Sequence, residues 1–131
     1  MTKIPYFAAL VLGASLIAAP AFAQDAAAGK SVFNQCRACH QVGPDAKNGV
    51  GPALNGIVGR KAGEVAGYNY SDANKNSGLT WDEATLKEYL KNPRAKVPGT
   101  KMVFPGIQRE NQLENLVAYL ALIKPDGSGA E

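Results

Sequence analysis

The sequence predicts an all-α fold in which three main helices bracket a long run of turns and Ω-type loops, in a single domain. Three observations lead there. Helical apolar spacing and caps occur in only three segments. Residues 41–80 hold eight glycines, two prolines and five asparagines, with neither a helical stripe nor a clean alternation. A loop stretch that long inside a compact domain needs an interior supplied by something other than secondary structure.

The chain has 131 residues, and its first 23 read as an export signal. Lys3 precedes the apolar run "FAALVLGASLIAA", and Ala21-Phe22-Ala23 forms a small-residue cleavage pattern before Gln24. The run falls short of the ~20 residues that span a bilayer, and Pro20 interrupts its end, so stable membrane insertion is not expected. Removing 23 residues from 131 leaves a mature domain of 108, exported most simply to a bacterial periplasm. A domain of that size buries only part of its surface, and a large apolar cofactor at its centre would complete the core. The formal net charge of +3, falling to +2 without Lys3, gives no reason to expect nucleic acid as a partner. We expect a monomer.

The first helix is predicted over Ala26–Cys39, where good helix formers surround Val32 and Phe33 and only Gly29 intervenes. It runs into "CRACH", which holds the only two cysteines of the chain, Cys36 and Cys39, and its only histidine, His40. Three chemistries use such a cluster. An exported Cys-x-x-Cys pair can form a disulfide, but a redox-active pair ordinarily opens a helix after a strand, whereas this one follows a helix. Zinc needs about four ligands, and no further Cys or His follows. Cys-x-x-Cys-His also attaches a c-type haem, the two thiols forming thioethers along one porphyrin edge and the adjacent imidazole reaching the iron. Export, size and the lack of other ligands favour haem attachment.

The second helix opens at Thr80-Trp81-Asp82-Glu83, read as a capping box with Thr80 as N-cap, and Pro93 ends it near Asn92. In the third, over Glu110–Ile123, Leu113, Leu116, Val117, Leu120 and Ile123 form one apolar stripe. Residues 124–131, "KPDGSGAE", are expected to fray. Between the second and third helices, "PGTKMVFPG" carries Met102, the only methionine apart from Met1. As a sixth iron ligand Met102 stands beside three alternatives: an open iron suited to gas or peroxide chemistry, a lysine, and a tyrosine.

The ordered set "CRACH", "GPALNGIVGRKAG", "YNYSDANKNSGLTW", "YLKNPRAKVPGTKM" and "LVAYL" resembles class I cytochrome c, specifically the mitochondrial-like cytochrome c2 group of bacteria, from Gly29 to about Leu122. The resemblance implies a small cytochrome c fold wrapped around one covalently bound haem c. It implies an electron carrier rather than an enzyme. Cys36 and Cys39 would be the thioether attachments, His40 the proximal iron ligand and Met102 the distal one. Pro52 would mark the turn that accepts the imidazole hydrogen bond. Arg60, Tyr70 and Trp81 would hold the haem propionates. Asn74, Tyr89 and Thr100 would form a polar network near the methionine, and Phe104 would cover the haem edge. Gly29, Phe33, Leu116 and Tyr119 would pack the first helix on the last. Asn48 and Asn55 stand where mitochondrial relatives often carry histidines, so the loop hydrogen bonds around Asn48 are expected to differ.

Charge is uneven along the chain. Lys91, Arg94, Lys96, Lys101 and Arg109 follow one another without an acid, whereas between Lys61 and Glu88 three lysines face five carboxylates. With Arg37 and Lys47, the cations Arg94, Lys96, Lys101 and Arg109 are expected to form a basic docking face around Met102. It would meet acidic surfaces of redox proteins: an oxidase, a cytochrome bc1-type reductase, a dehydrogenase or a photosynthetic reaction centre.

Overall fold

The computed structural model describes Gly13, Ser15 and residues 24–131; the signal segment expected over 1–23 otherwise lies outside the described residues. The architecture is helical. In chain order come α1 (Ala26–Phe33), a 3₁₀ turn (Asn34–Cys36), α2 (Asp72–Lys75), α3 (Glu83–Lys91), α4 (Pro93–Lys96) and α5 (Glu110–Leu122). Among the described residues the only β pairing is an isolated antiparallel bridge between Lys61 and Thr80.

α1 and α5 cross and form the frame. Asp25 caps α1 through its side chain, which accepts from Ala28 N, and the crossing point is Gly29. A Cβ there would stand 1.8 Å from Asn115 O and 2.9 Å from Tyr119 Cβ, so only glycine admits the approach. One turn on, Phe33 is fully buried and its ring lies 5.6 Å from that of Tyr119. Leu113, Leu116, Val117 and Leu120 of α5 complete this core, each burial stabilising the fold by about 1.5–3 kcal/mol. The first helix is shorter than the sequence suggests: the chain tightens to 3₁₀ at Asn34, and Cys39 sits in the following turn.

α3 is capped by Asp82, not Thr80. The Asp82 carboxylate accepts from Thr85 N at 2.8 Å, which holds its pKa below the ordinary value. Thr80 is drawn instead into the bridge with Lys61, flanked by Trp81 N to Arg60 O and Ala62 N to Leu79 O, both 2.8 Å. Pro93 ends α3 and also begins α4, at whose first position its missing N–H costs nothing.

The C-terminal residues, expected to fray, are hydrogen-bonded to one another and to α5. Lys124 N donates to Ser128 O at 2.9 Å, and the buried Tyr119 hydroxyl donates to Ala130 O at 2.7 Å. Among the described residues no helix is long and apolar enough to cross a membrane.

Candidate functional site

Between the α1/α5 frame, α3 and the loops lies a cavity of about 240 Å³, and Cys36, Cys39, His40, Pro52, Arg60, Tyr70, Asn74, Trp81, Tyr89, Thr100, Met102 and Phe104 all line it. Residues spread over almost seventy positions of the sequence thus share one wall-to-wall space.

One wall is built from the turn after α1. His40 N donates to Cys36 O at 2.9 Å, closing the turn that holds the two thiols and the imidazole together. The imidazole Nδ1 lies 2.8 Å from Pro52 O. With Nδ1–H donating to that carbonyl, Nε2 keeps its lone pair, the form a metal requires. Burial lowers the His40 pKa, the bond to Pro52 O opposes that, and the Arg60 charge lowers it further, so the ring is neutral. Gly51 leaves the room for this: a Cβ there would lie 2.4 Å from His40 Cε1. Burial also pushes the Cys36 thiol up to about 11. That opposes the thiolate a disulfide-exchange protein needs and leaves the sulfur in an apolar wall.

A second stretch of the lining is the loop 98–104. Thr100 Oγ1 shares a 2.8 Å hydrogen bond with Tyr89 Oη and accepts from Met102 N at 3.3 Å, so α3 fixes the backbone of the methionine. Lys101 reaches across to Asn69 O, and its ammonium sits 4.7 Å from the Tyr68 ring centroid. Tyr68 in turn donates to Val50 O at 2.8 Å, tying three loops around the mouth.

Arg60, Tyr70 and Trp81 share the cavity but do not bond one another. Arg60 Nη1 donates to Ala53 O and Asn55 O at 3.2 Å each, Tyr70 Oη accepts from Val65 N at 3.2 Å, and the Trp81 ring lies 4.8 Å from that of Tyr89. Asn74 lines the cavity with its buried Oδ1 lacking any partner in the protein, which marks the interior as built to meet a further group or water. An apolar space with two thiols and a metal-ready imidazole on one wall, a thioether facing the space and an unspent acceptor inside fits a covalently held haem.

The comparisons with known proteins bear on the same point. The cytochrome c family model matches residues 26–124. The chain belongs to the cytochrome c family. The cytochrome c2 of Blastochloris viridis is 54% identical over 122 residues, covering 93% of this chain and 94% of that protein. The cytochrome c2 of Rhodoblastus acidophilus is 62% identical over 106 residues, covering 81% and 99%. Among solved structures, cytochrome cH from Methylobacterium extorquens superposes with a TM-score of 0.70 at 57% identity, covering 74% of this chain and 97% of that one. A cytochrome c therefore carries the site, and with the family come its covalently attached haem c, the iron and single-electron transfer.

Several cavity residues of this cytochrome c escape a reading of the sequence. Tyr68 lines the cavity beside Tyr70 of the same "YNY", and nothing local says that both do. Val50 and Val103 line the mouth while 77% and 88% exposed, and in sequence they are ordinary loop valines. Asn48 bridges two loop segments, accepting from Ala53 N and donating to Ala66 O at 2.9 Å each.

The basic segment is less uniform than it reads. Lys96 pairs with Glu88, because α4 turns it back toward α3, and Lys91 pairs with Glu110 at the start of α5 at 4.0 Å. Lys96 is thereby removed from the free cations of the expected docking face. Among the described residues Arg37, Lys47, Arg94, Lys101 and Arg109 make no ion pair.

Proposed function

We propose that this cytochrome is an exported, periplasmic electron carrier and not an enzyme, with Cys36 and Cys39 as the thioether attachments and His40 and Met102 as the two axial ligands of the iron. The observation that carries the reading is the single cavity that collects the two thiols, a neutral imidazole fixed on Pro52 O and the one methionine of the mature chain.

The haem, when bound, supplies an iron that takes up and gives back one electron. The protein's residues hold its surroundings still. Pro52 O orients the imidazole and strengthens it as a donor. Thr100 and Tyr89 anchor the backbone of Met102, so the thioether needs no rearrangement when the charge changes. Arg60 and Tyr70 present donors for the haem carboxylates, and Phe33, Ile57, Trp81 and Leu86 exclude water. Methionine ligation and burial both raise the potential.

Electrons would pass at the mouth, where exposed Val50 and Val103 offer an apolar contact next to Lys101. Arg37, Lys47, Arg94 and Arg109 would steer acidic redox partners toward it, acting on encounter rate. The pyridine haemochrome spectrum of the acid-denatured protein tests the attachment. The expected result is haem that stays with the polypeptide in the wild type and is held by one thioether in Cys36→Ala; haem extracted freely from the wild type would sink the assignment.

A further inference from the structure

The residues beyond the family match are not spare. The cytochrome c family model ends at residue 124, yet residues 125–131 form a folded strap. Gly127 N donates to Lys124 O at 2.8 Å, and the Asp126 carboxylate accepts from the backbone and hydroxyl of Ser128 at 2.9 and 2.7 Å. The Tyr119 hydroxyl ties the far end down at Ala130 O.

What the strap touches is the loop that serves His40. Gly127 is buried against Gly43, which is buried too; a Cβ on Gly127 would stand 2.1 Å from Gly43 C, and its φ of +85° suits glycine alone. Gly43 is held in both directions by one side chain: its N–H donates to Asn55 Oδ1 at 2.9 Å and its carbonyl accepts from Asn55 Nδ2 at 2.8 Å. Next to Asn55, Gly56 N donates to Ile123 O at 3.1 Å, and a Cβ on Gly56 would meet Pro125 Cγ at 2.9 Å. The strap therefore packs on the 43–56 loop at both ends, Gly127 on Gly43 and Pro125 on Gly56, while the hydrogen bond at Gly56 comes from Ile123 at the end of α5; between those ends lies Pro52, whose carbonyl holds the imidazole.

We propose that the C-terminal strap is a positioning device for the proximal ligand: it fixes Gly43 and Gly56, and through them the Pro52 carbonyl that sets the donor strength of His40. The proposal rests on His40 being the iron ligand. A loosened loop weakens the Nδ1–H···O bond, the imidazole donates less, and the oxidised state loses stabilisation relative to the reduced one.

The test uses the full-length haem protein, Gly127→Val, a truncation after Lys124, and Tyr119→Phe, which loses only the anchor to Ala130. Reduction potential and amide hydrogen exchange at Gly43 and Leu54 are read together. We expect the potential to rise in Gly127→Val and in the truncated protein, by about threefold in the oxidised-to-reduced ratio, or ~30 mV at ~59 mV per decade. Exchange at Gly43 and Leu54 should quicken in step, with Tyr119→Phe moving both in the same direction by less. A potential unmoved in all three variants, even with melting temperature lowered, would reduce the strap to a stabilising element and overturn the proposal. So would a potential that moved without faster exchange at Gly43. Should Gly127→Val not fold, the other two variants decide. Failure of the ligand reading looks different, since a haem without an imidazole ligand would lack the low-spin spectrum in the wild type as well.

Discussion

Gly29 of α1 lies so close to α5 that a Cβ on it would stand 1.8 Å from the carbonyl oxygen of Asn115. Two effects oppose each other in Gly29→Ala. Alanine is the better helix former by about 1 kcal/mol. Forcing the helices apart at a packed crossing costs typically 1–3 kcal/mol, and here the obstacle is backbone that cannot rotate away. Net destabilisation is expected, measured by guanidinium unfolding; a variant as stable as the wild type would show that the crossing has slack.

The cap of α3 gives a second prediction. Asp82→Ala should lower stability at pH 7 while Thr80→Ala leaves α3 intact, and Asp82→Asn should retain most of the cap. The Asp82 carboxyl titrates below its ordinary value, chiefly because Thr85 N–H donates to it. Its contribution is therefore complete above the unfolded pKa of about 4 and is lost as pH falls through the lower folded value. Acid unfolding followed by circular dichroism should show a shallower loss in Asp82→Asn. A steeper loss would reverse the assignment.

Tyr89 and Thr100 share a hydrogen bond that stands behind Met102. Tyr89→Phe keeps the ring and removes the hydroxyl, at a cost of about 1 kcal/mol. We expect the iron-to-sulfur charge-transfer band of the oxidised protein to disappear at a lower temperature than in the wild type. A band as heat-resistant as before would mean that Met102 is held without the Tyr89 hydroxyl.

The free cations give a fourth. Arg94→Glu should slow electron transfer to an acidic partner several-fold at low ionic strength, and the effect should shrink as salt screens it. Lys75→Glu is the comparison, since Lys75 already faces Asp72 at 3.5 Å. Lys101→Glu is a poorer probe, because the same ammonium holds Asn69 O. Equal slowing by Arg94→Glu and Lys75→Glu, or a rate indifferent to salt, would remove the docking face.

Much of the site was legible because its chemistry is local. Cys36, Cys39 and His40 stand within five residues, and that spacing, together with export and the lack of other Cys or His ligands, points to a porphyrin edge and its ligand. The α5 stripe was equally plain. What escaped was non-local. Thr80 has the local form of an N-cap, but a bridge to Lys61, nineteen positions away, claims it and passes the cap to Asp82. The tail has the composition of a frayed end, and only the approach of Gly127 to Gly43 and of Gly129 to Leu122 O shows why two glycines are there. Lys96 belongs to a basic run until α4 turns it toward Glu88. Arg60, Tyr70 and Trp81 do share one cavity, although the bonds of Arg60 to Ala53 O and Asn55 O and of Tyr70 to Val65 N could not be read from residue types.

The central claim, an iron closed on both sides by His40 and Met102, is tested most directly by carbon monoxide binding to the reduced protein, wild type beside Met102→Ala. The account predicts slow, weak binding in the wild type, fast and tight binding in Met102→Ala, and loss of the charge-transfer band in the same variant. Fast, tight binding by the wild type would contradict it, leaving an open iron suited to a sensor or an enzyme.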